Sequence, residues 1–191
     1  ELCEFRTGSG FSFAVSPSRG LDIVRAEHNG RALAWNSSTG ITHPAFYNED
    51  NLGWLRGFYG GLLTTCGLSS FGPPSEDDGE KFGIHDRASF LPASNVSTHK
   101  EWNGDDLHLC VRGEIRETRV FGPNLVLRRE ISTKLGDNKL TVRDRVENEG
   151  FEAAPLLILY HCNFGFPVVS EYSMISAPSQ QCTPRDEAAQ I

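Results

Sequence analysis

Between Leu107 and Glu147 apolar and polar residues alternate with a period of two, and this constrains the fold more than any other feature of the chain. Leu107, Leu109, Val111 and Ile115 are interleaved with His108, Arg112, Glu114 and Arg116. Leu125, Leu127 and Ile131 are interleaved with Arg128 and Glu130, and Leu140, Val142 and Val146 with Thr141, Arg143, Arg145 and Glu147. Successive side chains point to opposite faces of a strand, so each segment predicts a strand with one apolar and one polar face. Turn-forming residues separate them, at Gly136-Asp137-Asn138-Lys139 and Asn148-Glu149-Gly150. Strands joined this way pair antiparallel, and one-sided alternation means that one face of the sheet covers a core. Asp144 breaks the pattern by falling on the apolar face, where a carboxylate needs a partner, an arginine above all. His108 falls on the polar face and is expected in solvent.

The N-terminal half carries weaker signals of the same kind. Phe11 to Val15 alternates, Pro17-Ser18-Arg19-Gly20 turns the chain, and Leu21 to Glu27 follows. Asn29-Gly30 then divides two apolar stretches, a strong hairpin signal because both residues tolerate positive φ. Asp22 either orients Arg19 or forms a turn pair with it. Leu62 to Leu68 predicts a short strand, and Pro73 to Glu80 an acidic, solvated loop. His28, His43 and His99 lie in turn or loop contexts and receive no role. No helix of more than about three turns is supported. With 19 Gly, 10 Pro and a single Met in 191 residues, the composition agrees with a β-rich chain. The expectation is an all-β, large antiparallel β-sandwich, with residues 1–191 forming a single domain.

The stretch from Pro155 to Pro167 joins fold to chemistry. Leu156-Leu157-Ile158-Leu159 opens it and Tyr160-His161-Cys162-Asn163-Phe164-Gly165-Phe166 closes it. A short apolar run bounded by Pro and Gly predicts a strand buried on both faces. His161 stands where the apolar part stops. There an imidazole can be partly desolvated yet reach a ligand and exchange protons near neutral pH, or it can be a core histidine satisfied by one hydrogen bond. His85 sits in Gly83-Ile84-His85-Asp86-Arg87, a loop-like setting. Arg56, next to Gly57, calls for a polar ligand or a salt-bridge carboxylate. Phe46, Tyr47, Trp54 and Phe58 fit either a surface on which pyranose C–H faces stack or the plugged edge of a sandwich.

The formal net charge of -7 argues against nucleic acid and anionic membrane surfaces as partners. No run reaches the length of a membrane-spanning helix. Cys3, Cys66, Cys110, Cys162 and Cys182 are odd in number and widely spread, which suits free thiols in a reducing cytoplasm. No metal-ligand spacing is present, and neither a metal nor a cofactor is expected. The sequons at Asn36 and Asn95 matter only in a secreted protein. The chain opens on Glu1, and Met174 is its only methionine, so it is expected to be a piece of a longer polypeptide.

Four stretches taken in order resemble the aldose 1-epimerase, or galactose mutarotase-like, superfamily. They are Arg19-Gly20-Leu21-Asp22-Ile23, Trp54 to Leu68, Gly83-Ile84-His85, and Leu159 to Pro167. The resemblance is greatest to a bacterial branch known only as a domain of unknown function. It implies a β-sandwich and a protein that binds a small-molecule sugar and interconverts its anomers by acid/base ring opening. It implies His161 and His85 as catalytic residues, Arg56 as a substrate-binding arginine, and Asn163, Trp54 and Phe164 as pocket residues. Two departures carry expectations. Asp86 stands where the family has Gly after its loop histidine, and a carboxylate there would raise the His85 pKa or change how the loop meets a sugar. The family's general base is a Glu well beyond the second histidine, whereas Glu171 and Glu187 stand in no such context. The base and the last strands are therefore expected beyond this chain. The alternative is a non-catalytic carbohydrate-binding domain of the same fold. A thiol enzyme built on Cys66 or Cys162 and a sugar-phosphate epimerase are the remaining readings.

Overall fold

The computed structural model describes residues 1–184 and 186–190. Two antiparallel sheets face each other. The first holds β1 (Cys3–Arg6), β2 (Phe11–Ser16), β3 (Asp22–His28), β5 (Leu63–Leu68) and β12 (Leu157–Cys162) in the order β1-β2-β3-β5-β12, with the short β4 (Arg31–Ala32) also paired to β3. The second holds β8 (Ser94–Asn103), β9 (Asp106–Thr118), β10 (Asn124–Lys134) and β11 (Leu140–Asn148) in the order β11-β10-β9-β8. β6 (Ser75–Asp77) and β7 (Glu80–Phe82) form a separate hairpin. The helical elements among the described residues are short 3₁₀ turns.

The sandwich follows from the alternation. Val111, Ile115, Leu125, Leu127 and Ile131 turn inward against Phe5, Phe13, Val15, Ile23, Leu63 and Leu68 to make one core between the sheets. Burying such a side chain is worth about 1.5–3 kcal/mol. The polar face of the second sheet carries cross-strand ion pairs such as Arg112–Glu130 at 2.6 Å and Arg128–Glu114 at 3.1 Å, and His108 is exposed there as expected.

Asp144 finds the arginine its position calls for. The fully buried Arg129 guanidinium donates from Nε to Asp144 Oδ1 at 2.9 Å and from Nη2 to Oδ2 at 2.6 Å. Its Nη1 donates to Thr65 Oγ1 at 2.7 Å and to the Gly20 carbonyl at 3.2 Å, and lies 3.5 Å from Asp22. Tyr160 completes the network, its hydroxyl donating to Asp144 Oδ2 at 2.8 Å. Arg129 and Asp144 belong to one sheet, and Asp22, Thr65 and Tyr160 to the other. The network therefore joins the two layers through their core.

Several expectations need correction. β12 is the last strand of its sheet in the described residues, so its body is only partly covered, and Leu157 and Tyr160 are exposed rather than buried on both faces. The acidic stretch after Pro74 is a hairpin turning at Asp78-Gly79, both at positive φ. β8 is a strand that carries His99, which is not in a loop. Its ten residues are almost all exposed, so no alternation marks it. Of the two readings of Asp22 the turn pair holds, its N–H donating to the Arg19 carbonyl at 2.9 Å, while its carboxylate does not orient Arg19 but serves Thr65, Tyr59 and Arg129.

Candidate functional site

The site lies on the face of β5 and β12 turned away from the second sheet. Along β12, Ile158 and Tyr160 point into the sandwich, so Leu159 and His161 point out. Cys66, opposite Leu159 in the register, packs on the same side with Trp54 and Phe90. A 3₁₀ turn, Gly53–Gly57, lays Trp54 over this face, buried to 2% exposure. The Trp54 ring stacks on Phe58 with centroids 4.5 Å apart and meets His85 edge-on at 4.9 Å. His161 meets Phe58 at 5.4 Å and His85 at 5.4 Å, with the two imidazole planes 80° apart. Residues distant in sequence thus form a cluster of two imidazoles on two aromatic rings.

His85 is held in an unusual backbone. It and Asp86 have φ of +62° and +56°, the left-handed region. Outside glycine this costs roughly 1–3 kcal/mol per residue and persists only where surrounding bonds enforce it. Here Gly67 N–H donates to the His85 carbonyl at 3.1 Å and His85 N–H to the Gly72 carbonyl at 3.1 Å. Gly72 N–H also donates to His85 Nδ1 at 3.3 Å. An accepting Nδ1 puts the proton of the neutral ring on Nε2. Gly67 has to be glycine: its φ is +122°, and a Cβ would lie 2.3 Å from the Leu157 carbonyl.

Burial, and then the neighbouring His161, push the His85 pKa below the ordinary imidazole value. This corrects the expectation that Asp86 would raise it. The Asp86 carboxylate turns from the imidazole to accept from Ser70 N–H at 3.1 Å, with the Arg87 Nε 3.8 Å away. Its own pKa is pushed up to about 7, first by burial and then by Glu117. His161 Nδ1 and Trp54 Nε1 are buried without a hydrogen-bond partner among the described residues. Such groups in a folded protein call for an explanation, and a polar ligand beside the cluster is one.

Arg19 organises the loops around this cluster. Its guanidinium, 1% exposed, donates to the carbonyls of Ser89 at 2.7 Å, Thr42 at 3.0 Å and Gly57 at 3.2 Å, and to Ser89 Oγ at 3.2 Å. It lies 4.0 Å over the Phe90 ring and 4.8 Å over Tyr59. One side chain thereby ties the segment after His85 to the one carrying Trp54 and Phe58. The sequence showed Arg19 in a turn motif, but its partners lie far away in the chain.

The remaining sequence candidates divide. Arg56 is exposed at the end of the Trp54 turn and forms no ion pair among the described residues. Asn163 is buried, and its amide donates to the carbonyls of Gly61 at 3.1 Å and His161 at 3.0 Å, which fixes the end of β12. Phe164 falls elsewhere: it lines an apolar groove with Leu33, Leu62, Val142 and Cys162. Phe58, which touches both Trp54 and His161, is a site residue that the sequence offered only as one of four aromatics fit for stacking on a sugar or plugging an edge. Burial pushes the thiols of Cys66 and Cys162 up, the opposite of what a nucleophilic cysteine needs. Among the described residues no cluster able to hold a metal ion occurs, and no helix is long and apolar enough to cross a membrane.

This sandwich is the fold of the aldose 1-epimerase superfamily. A crystal structure of a Klebsiella pneumoniae protein, provisionally named an aldose 1-epimerase, superposes with a TM-score of 0.78 and 29% sequence identity over 84% of this chain. Within that superfamily the chain belongs to the family described as Domain of unknown function (DUF4432), which it matches over residues 1–191. It spans 42% of the length of the Klebsiella protein. No curated protein matches the sequence significantly.

Proposed function

We propose that this chain carries the histidine half of a carbohydrate site of aldose 1-epimerase type, which interconverts the anomers of a free sugar. The observation that carries this reading is the edge-on pair of His85 and His161, 5.4 Å apart, on the Trp54 and Phe58 floor. A pyranose has apolar C–H faces that suit aromatic rings and a rim of hydroxyls that suits imidazoles and an indole N–H.

Anomer exchange opens the ring at the anomeric carbon and closes it on the other face. An acid protonates the ring oxygen while a base takes the anomeric hydroxyl proton, and both act in reverse on closing. In this reading His161 is the acid, since it lies at the mouth of β12 and its Nδ1 lacks a partner. His85, neutral and protonated on Nε2, donates to the ring oxygen or an adjacent hydroxyl. Arg56 holds a more distant hydroxyl or carboxylate, and Asn163 keeps His161 in place. The base is a carboxylate expected from outside residues 1–191, in keeping with a chain that spans 42% of its solved relative.

The test is anomer exchange by NMR with the full polypeptide and a panel of free hexoses, pentoses and uronic acids. Acceleration for one sugar supports the reading and names the substrate class. Binding of a sugar without acceleration would replace it with a non-catalytic carbohydrate-binding domain.

A further inference from the structure

His161 stands between two anchors on β12. The residue before it, Tyr160, points into the sandwich and its hydroxyl donates to Asp144 Oδ2 on the second sheet at 2.8 Å. Two residues after it, the Asn163 amide donates to the Gly61 carbonyl at 3.1 Å and to the His161 carbonyl at 3.0 Å. Among the described residues β12 pairs with β5 alone, so its backbone ladder runs along one side only. A strand held on one side frays and twists more readily than an inner strand, and a side-chain bond to another layer then fixes where its residues point. The His161 ring is placed by packing on Phe58 and His85, since its buried Nδ1 has no hydrogen-bond partner among the described residues.

Asp144 is itself firmly held. Arg129 donates to its two oxygens at 2.9 and 2.6 Å and to Thr65 Oγ1 at 2.7 Å. Thr65 is the register partner of Tyr160, so one guanidinium holds the inward pair of the two strands. The next pair, Thr64 and His161, faces outward to the cluster. From Thr65 the bonds continue to Asp22 at 2.7 Å, and Asp22 accepts from the Tyr59 hydroxyl at 3.1 Å. Arg19 lies 4.8 Å over the Tyr59 ring and donates to the Gly57 and Ser89 carbonyls. The anchor behind His161 and the tie behind Trp54, Phe58 and the segment after His85 are thus parts of one buried polar frame.

We propose that Tyr160 is a positioning residue for His161: its bond to Asp144 sets the tilt of the end of β12, and with it the separation at which the His161 imidazole meets His85 and Phe58. The positioning role stands on these bonds alone. Its consequence for turnover rests on the sugar-site reading: misplacing a catalytic group by about 1 Å costs up to roughly 10²-fold in rate, so without the bond anomer exchange falls by that factor while sugar binding is nearly kept.

The test is the nuclear Overhauser cross-peak between the ring hydrogens of His85 and His161, measured on the full polypeptide with isotope-labelled histidine and no sugar present. His85→Gln and His161→Gln assign the signals. Tyr160→Phe is expected to fold, because Arg129 still serves both oxygens of Asp144. Ile158→Val is the control, since it thins the core contact of the same strand and leaves the Asp144 bond in place. The parent and Ile158→Val should show the cross-peak at equal strength, and Tyr160→Phe should lose most of it. A cross-peak that is absent in the parent, kept in Tyr160→Phe or lost equally in Ile158→Val overturns the proposal. Should Tyr160→Phe not fold, Asp144→Ala removes the acceptor of the same bond while Asp22 still balances Arg129, and the same outcomes decide. Anomer exchange with a panel of free sugars then separates the two claims. A cross-peak lost in Tyr160→Phe, with no sugar accelerated or bound by the parent, would keep the positioning role and remove the sugar-site reading. A parent-like exchange rate in Tyr160→Phe despite the lost cross-peak would overturn the consequence for turnover.

Discussion

The imidazoles of His85 and His161 meet edge to face with centroids 5.4 Å apart, one fixed by backbone bonds and the other with a buried Nδ1 that has no partner. The asymmetry has a stability consequence. The His85 pKa is lowered in the fold, by burial first and by His161 second. A histidine held neutral in the native state contributes stability that is present above its unfolded pKa and lost as pH falls through its folded one. Acid denaturation should therefore begin just below the ordinary imidazole range, and His85→Gln should flatten that part of the profile. Urea midpoints measured on either side of it decide the matter, and identical slopes for the two proteins would contradict it.

Asp86 carries the opposite sign. Its folded pKa of about 7 lies above its unfolded value, so stability is greatest at low pH and falls as pH rises between the two. Asp86→Asn should remove this loss and stabilise the protein by on the order of 2 kcal/mol at mildly alkaline pH, with little effect in acid. Denaturant melts at two pH values check it.

Arg129 is held between Asp144 and Asp22 in the core. Arg129→Met leaves two buried carboxylates without their cation, and removing one partner from such a network costs about 3–5 kcal/mol. The Tyr160 hydroxyl should report the damage. Its pKa, pushed up to about 12 by burial and by Asp144, reflects the same contact, and ultraviolet titration follows it.

Arg19 joins Ser89, Thr42 and Gly57 through geometry that a lysine lacks. Arg19→Lys keeps the charge but loses the planar fork and the stacking on Phe90, at an expected cost of about 3 kcal/mol. Because Trp54 is buried beneath the loops that Arg19 ties together, its emission should shift to the red in the variant. An unchanged spectrum would mean that the loops hold without Arg19.

Much of this was legible in the sequence for identifiable reasons. The period-two pattern from Leu107 to Glu147 marked three strands, Asn29-Gly30 marked a hairpin, and Asp144 on an apolar face required the arginine it has. The two histidines followed from the motif resemblance, and the structure brings them together with Trp54. What stayed hidden depends on distance or dihedral angle. Arg19 reaches carbonyls at Thr42, Gly57 and Ser89, and a carbonyl leaves no trace in residue type. Asp86 turns from His85 because both residues take positive φ, which neither residue type announces. The run Leu156 to Leu159 reads the same for an inner or an edge strand, so burial of β12 on both faces was expected where one neighbour is present. Phe164 lies one position beyond the pattern that governs His161 and faces the apolar groove.

The most direct measurement compares anomer exchange catalysed by the full polypeptide with that of its His161→Gln variant, on whichever free sugar is accelerated. The variant is expected to fold, still bind the sugar, and lose roughly 10²–10⁴ in exchange rate, the contribution of one positioned acid. Exchange at the parent rate in a folded His161→Gln protein would contradict it.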